Sequence, residues 1–234
     1  MKKRESEKWI NRGFEFLSIF VAVISAFALN NWNENRKASQ SENKILMEIA
    51  NGLGKDIQDI KQNKRGHQFG IQACNYFRNV LSNKAVNQDS LMNYYRRVTR
   101  DFVSIQNTAG YETLKSRGLE LIKNDSLRRK IISLYEFDYD ILRKLEEEYS
   151  EMQFHESYFK DINRILAPNF IFNDNNQVTG LDLPLKITAD EKKRLLLYLV
   201  KIQENRAHIL IYYGEVESKV SDIQRNIKSE IKRE

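Results

Sequence analysis

The residues of this 234-residue chain whose types could do chemistry are three histidines, one cysteine and a run of glutamates. His155 follows Glu151 by four positions and His208 follows Glu204 by four, so each pair would share one helix face. Dinuclear metal sites in helical bundles use inward glutamates with a Glu-x-x-His motif, and the spacing here is one residue longer. Helices rich in glutamate and lysine produce such pairs by chance, so neither a metal nor another cofactor is expected. Cys74 stands alone, which excludes an intramolecular disulfide framework. A small buried side chain is its expected role, and a bridge between two chains the alternative. Glu146, Glu147 and Glu148 point in successive directions around a helix, which predicts a solvated face rather than an acid/base pair. No Gly-x-Ser-x-Gly elbow or glycine-rich phosphate loop is present, so no catalytic residue is assigned.

The elements that must position these residues read as helices. Leu46, Leu53, Ile60, His67, Cys74 and Leu81 recur every seven residues, an amphipathic stripe interrupted by Gly52, Gly54, Gly66 and Gly70. Each glycine costs about 1 kcal/mol relative to alanine in a helix interior, and a bend is predicted near Gly66. After a polar turn at 82–88, Asp89 is placed to cap a helix running towards Phe102 and Ile105. Thr108 to Ile122 reads as two short helices parted by Gly118, which suits a left-handed C-cap. Asn124 or Asp125 then opens a long helix reaching Ile165 and ended by Pro168. The Asn-rich insert at 168–187 is either a loop or a small hairpin.

Thr188-Ala189-Asp190-Glu191 has the form of a capping box. It opens the longest helix, where Leu199, Ile202, Arg206, Ile209, Tyr213, Val216, Val220, Ile223 and Ile227 step by three or four residues along one seam. The seam requires partners, expected to be the Asp125 helix lying antiparallel and the stripe beginning at Leu46. The fold class expected is all-α, a bundle with long antiparallel helices.

Ahead of the bundle lies an apolar segment. Phe16 to Asn33 gives 18 uncharged positions, or ~27 Å as a helix, close to the thickness of a thin bilayer core. Trp9 precedes it and Trp32 closes it, positions suited to the two membrane interfaces. Asn30 and Asn31 begin a polar exit. Glu15 either sits at the interface one turn after Arg12 or pairs with another helix. The division expected is a short cytoplasmic tail at 1–15, a transmembrane helix at 16–33 and an exported helical domain at 34–234. The rival is a cleaved signal peptide, because a basic start precedes the apolar run and Ala26-Phe27-Ala28 has a small-x-small form. Both export the same body. Five cations in the first 12 residues against Arg36, Lys37 and Lys44 beyond the span put the N-terminus in the cytoplasm and the C-terminal domain outside, in the periplasm or its equivalent.

Gly13, Glu15, the apolar run, Ala28-Leu29 and Asn30-Asn31-Trp32-Asn33-Glu34-Asn35-Arg36 resemble the N-terminal anchor of a family of uncharacterised bacterial single-pass membrane proteins. That family pairs Gly with Glu before the span and closes it with an Ala-Leu-x-x-Asn-Asn-Trp-Asn-Glu-x-Arg string. Here Phe14 intervenes between Gly13 and Glu15, and the usual glycine within the span is missing. Tyr111, Leu114, Lys115 and Gly118 resemble the family's Tyr-x-x-Leu-Lys-x-x-Gly segment. The resemblance implies location and architecture, and no activity.

With 38 basic and 32 acidic residues the net charge is +6, much of it in the first 12 residues. The body is therefore mixed in sign, and nucleic acid is not an expected partner. The function expected is that of a non-enzymatic envelope protein, held in the membrane, that binds an envelope protein partner or forms a homo-oligomer. A sensor-like ligand-binding bundle signalling through a partner is the alternative, with an envelope hydrolase third.

Overall fold

The computed structural model describes the backbone of residues 2–232 and the side chains of residues 16–232. One helix, α1 (Lys2–Leu81), runs for 80 residues, about 120 Å at ~1.5 Å per residue. Every residue from Phe16 to Lys37 is exposed, including Phe16, Phe27 and Leu29. Near its N-terminus α1 is long and apolar enough to cross a membrane. From Glu42 onwards one face is covered, and all six residues of the seven-spaced stripe are buried.

The covering element is α7 (Ala189–Ile231), 43 residues long. Its capping box is formed: Thr188 Oγ1 accepts from the Glu191 amide at 3.2 Å while the Glu191 carboxylate accepts from the Thr188 amide at 2.9 Å. The helix runs back antiparallel along α1. Gln224 Nε2 donates to the Ala50 carbonyl at 2.9 Å, Lys64 meets Glu217 at 2.7 Å, and Arg206 lies against Gly70. Every position of the nine-residue seam is buried. The chief partner of α7 is therefore α1 rather than the segment that follows Asp125.

Between these two helices in sequence come α2 (Leu91–Val98), α3 (Ala109–Arg117), α4 (Asp125–Ser133), α5 (Tyr139–Glu147) and α6 (Lys160–Leu166). The fold is all-α with one small hairpin. That hairpin settles the form of the insert: β1 (Phe170–Phe172) pairs antiparallel with β2 (Val178–Leu181). Asn173 Oδ1 accepts from the amides of Asn175 and Gln177, and Asn176 takes a positive φ of 58°, so the asparagines form the turn.

Four local expectations are corrected. No break occurs near Gly66, because α1 is continuous through all four glycines. Asn87, not Asp89, caps the turn before α2 by accepting from the Asp89 amide at 2.9 Å, and α2 stops at Val98 instead of reaching Phe102 and Ile105. The Asp125 segment is not one helix: it passes through a π-helical turn at Leu134–Asp138 and breaks after Glu147. Gly118 has a positive φ of 99° but an extended ψ of 127°, so it leaves α3 without entering the left-handed helical region.

Candidate functional site

Residues 99–108 form an irregular strap between α2 and α3, and several of the buried polar groups, among them Asp56, Glu146 and Arg206, bind it. A strap without helix or sheet partners must find acceptors and donors for its backbone elsewhere. Asp56 accepts from the Asn107 amide at 2.8 Å and from the Tyr139 hydroxyl at 2.7 Å. Asp59 accepts from the Ile105 amide at 2.9 Å. Glu146 accepts from the Ser104 amide and hydroxyl at 3.0 and 2.8 Å, and also from the Tyr213 hydroxyl. In the other direction, strap residue Asp101 accepts from the amides of Phe154 and His155 at 2.7 and 3.3 Å. These amides start the helical segment that leads into α6.

Arg206 holds the opposite end of the strap. Its guanidinium is fully buried and donates from Nη2 to the carbonyls of Val98 and Arg100 at 3.3 and 2.7 Å, with Arg97 at 3.4 Å. These are the last carbonyls of α2 and the first of the strap, so Arg206 caps that helix and sits at the negative end of its dipole. Phe154 covers its face at 4.2 Å and Phe102 flanks it at 5.7 Å. Nη1 lies 3.1 Å from His67 Nδ1. A guanidinium only donates, so His67 Nδ1 accepts and its proton resides on Nε2.

Gly66, where a bend was expected, and Gly70 explain the close approach. A Cβ at Gly70 would lie 2.3 Å from Arg206 Nε, and one at Gly66 would lie 2.3 Å from the Phe102 ring. Each glycine lowers intrinsic helicity, but removes the side chain that would push the guanidinium or the strap away from α1.

Burial dominates the protonation behaviour. Desolvation, reinforced by the Arg206 charge, holds His67 down at about 3, so it is neutral at physiological pH. Arg206 is pulled down to about 10 by burial and remains a cation. Burial raises Glu146, Asp56 and Asp101 above the usual carboxylate range, against the hydrogen bonds that each accepts. The Cys74 thiol is raised to about 11 and is buried, which makes it a poor nucleophile.

No family model, curated protein or solved structure matches the chain. What the cluster does must come from its own geometry. Arg206 and His67 have no surface through which a substrate could reach them. The enclosed cavity between Phe77, Val98, Leu166 and Leu199 measures about 10 Å³ and is apolar, room for one water at most and without a polar partner for it. Wider clefts open to the surface, such as one of about 230 Å³ beside Lys130 and Lys219. Lys219 and Asp138 bridge it with an ion pair of 2.6 Å.

The residues singled out from the sequence fall elsewhere. Asn30, Asn31 and Trp32 are exposed on α1; Asn30 donates to Glu34 at 3.1 Å and the Arg36 guanidinium lies 5.7 Å from the Trp32 ring. The side chains of Trp9 and Glu15 lie outside the described residues. Glu151 binds Lys201 at 3.2 Å, His155 stacks on Phe159, and His208 is exposed. Among the described residues no three His, Cys, Asp or Glu side chains converge on a metal position. Glu146 is a correction: it is buried, not solvated. It lies in phase with Tyr139 and Leu142 on the inward face of α5, whereas Glu147 and Glu148 turn outwards. Arg206 and His67 went unnoticed as a pair, although both occupy positions in phase with apolar seams.

Proposed function

We propose that this chain is a membrane-anchored, non-enzymatic protein whose helical body acts by binding another protein or a second copy of itself in the bacterial envelope. The observation that carries this reading is how the buried polar groups are used: Arg206, Glu146, Asp56 and Asp59 fix the strap. A sensor bundle requires a chamber with converging polar groups. The buried polar groups that converge here are spent on the strap, which argues against one.

The exposed run from Phe16 to Trp32 supports an anchor, because apolar side chains on a helix that nothing in the body covers are stable in lipid. The string from Ala28 to Arg36 supports the same assignment through its resemblance to single-pass proteins. Charge asymmetry around the segment supports a cytoplasmic N-terminus and an exported body. For the contact itself, Leu197, Val200 and Ile211 are exposed within one narrow sector of α7, with Glu204 between them.

Crosslinking of the full chain in intact envelopes, with identification of what is captured, tests the proposal. Ile211→Asp should leave stability within about 0.5 kcal/mol of wild type and reduce capture of the partner or second copy. Undiminished capture would reject the α7 sector as the contact. A C-terminal alkaline phosphatase fusion that is inactive would reject export.

A further inference from the structure

The outward face of α7 carries a pattern of its own. From Lys193 to Ser218 the positions opposite the buried seam step alternately by four and three residues. Such spacing keeps one stripe turned towards a second helix over several turns. Within the chain nothing covers it, and Leu197, Val200, Glu204, Ala207 and Ile211 are all exposed. Gly214 lies on the same stripe and is the one described helical glycine that the protein leaves unfilled. At Gly52, Gly54, Gly66, Gly70 and Gly110 a Cβ would come within 3.0 Å of another atom of the chain, whereas at Gly214 it would meet nothing within 4 Å. A glycine in a helix interior is less stable than alanine, so its place here is accounted for by something outside the chain that packs against the backbone.

The stripe is complementary to its own reverse. Laid antiparallel on a second copy about a two-fold axis between Asn205 and Arg206, Leu197 falls opposite Gly214, Val200 opposite Ile211 and Lys193 opposite Ser218. The large Leu197 side chain then fills the gap at Gly214. Ser218 is flanked on its own face by Glu215 and Asp222, so the Lys193 ammonium lands between two carboxylates, and Glu204 lands beside His208 of the second copy. Lys193, Glu204 and Glu215 make no ion pair among the described residues, and Asp222 meets only Arg225, in solvent at 3.1 Å. Parallel pairing would instead stack Lys193 on Lys193, Glu204 on Glu204 and Glu215 on Glu215, like charges that repel.

We propose that the outward face of α7 binds the same face of a second copy of this chain, antiparallel, and that the two copies are anchored in facing bilayers. The proposal rests on the anchor and binding reading above. The facing arrangement follows from α1. Arg206 lies against Gly70, and α1 continues unbroken from there to Trp32, a rise of roughly 57 Å. A two-fold axis beside Arg206 therefore sends the two exposed apolar segments in opposite directions, with the Trp32 residues roughly 115 Å apart, well beyond the thickness of one bilayer.

The test uses the full chain in phosphatidylcholine vesicles and in detergent. Cys74 is buried and should not react. A short bismaleimide should join chains that carry Val200→Cys and Ile211→Cys together into covalent dimers. It should not join chains that carry Val200→Cys alone, because those positions would stand roughly 17 Å apart along the pair. Vesicles bearing the chain should cluster, read as a rise in light scattering. A two-fold axis makes every contact twice, so Lys193→Glu should weaken self-association at least about tenfold, and adding Glu215→Lys and Asp222→Lys to that variant should restore it. Gly214→Leu should abolish dimers and clustering with circular dichroism unchanged, since within one chain its side chain enters open space. Dimers from Val200→Cys alone would establish parallel pairing and overturn the proposal, as would the absence of dimers from a folded double variant. Chains that enter vesicles without clustering them would overturn the facing-bilayer arrangement. Dimers formed in detergent by a chain that does not enter vesicles would keep the antiparallel contact and remove the anchor, and the facing bilayers with it.

Discussion

The two halves of α1 share one backbone and differ in what surrounds their side chains. From Phe16 to Lys37 every residue is exposed, whereas from Glu42 to Leu81 a seven-spaced stripe disappears under α7, α2 and α3. The helix does not mark the change with a cap or a break. The boundary lies in side-chain chemistry alone, in the polar string from Asn30 to Arg36, because helical hydrogen bonds are satisfied internally in lipid, water or protein alike. In the covered half Gly66 and Gly70 are filled from outside by Phe102 and Arg206.

The largest contrast between the halves should come from the same change made in each. Leu53→Asp, in the covered half, places a carboxylate where the side chain is fully buried, and should cost more than about 4 kcal/mol. Ile209→Asp, on the buried seam of α7, should do the same. Phe20→Asp, in the exposed half, should leave the unfolding midpoint of the body in detergent unchanged. Equal losses at Leu53 and Phe20 would mean that the halves do not have separate environments.

A smaller effect is expected from Arg206→Met, which sharpens the account of the covered half. Three carbonyls and His67 lose their donor, at a cost of about 2 kcal/mol. Hydrogen exchange should then accelerate in residues 99–108 before the rest of the body. Arg206→Lys should not restore protection, since one ammonium cannot reach all these acceptors. Uniform exchange along the chain would contradict the idea that Arg206 specifically holds the strap.

Glu146→Gln should have the smallest effect at neutral pH. Glutamine keeps one oxygen for Ser104, and the Tyr213 hydroxyl can turn to accept from the new amide. Because burial raises Glu146 in the folded state, the native protein binds its proton more readily than the unfolded chain. Its contribution is therefore most favourable in acid and is lost as pH rises through the raised value. Relative to wild type, the glutamine variant should gain stability from the acid side towards neutrality. A ratio independent of pH across that window would show that Glu146 is not desolvated.

Much of this architecture was legible because period reports burial. The stripe from Leu46 to Leu81 and the seam from Leu199 to Ile227 were readable to the residue, as was the capping box at Thr188. What stayed hidden depends on contacts distant in sequence. Gly66 looks like a weak point until Phe102, 36 positions on, fills it. The strap is invisible to helical periodicity because side chains of α1, α5 and α7 satisfy its backbone. Glu146 was masked by the two glutamates after it, although its phase with Tyr139 and Leu142 gave it away. Arg206 in an apolar seam was the clearest unread signal, since a cation at such a position demands a set of acceptors.

The proposed anchor makes α1 one helix in two solvents, lipid around the exposed run from Phe16 to Trp32 and protein around the half that begins at Glu42. Cysteine accessibility along α1 in the full chain, reconstituted in sealed vesicles, tests it most directly. Single cysteines replacing Val21 and Ile24 should resist a water-soluble maleimide in vesicles and react once detergent is added, while those replacing Gln58, Gln62 and Gln72 should react in both. Equal and rapid labelling of Val21 and Gln62 positions in intact vesicles would contradict the account.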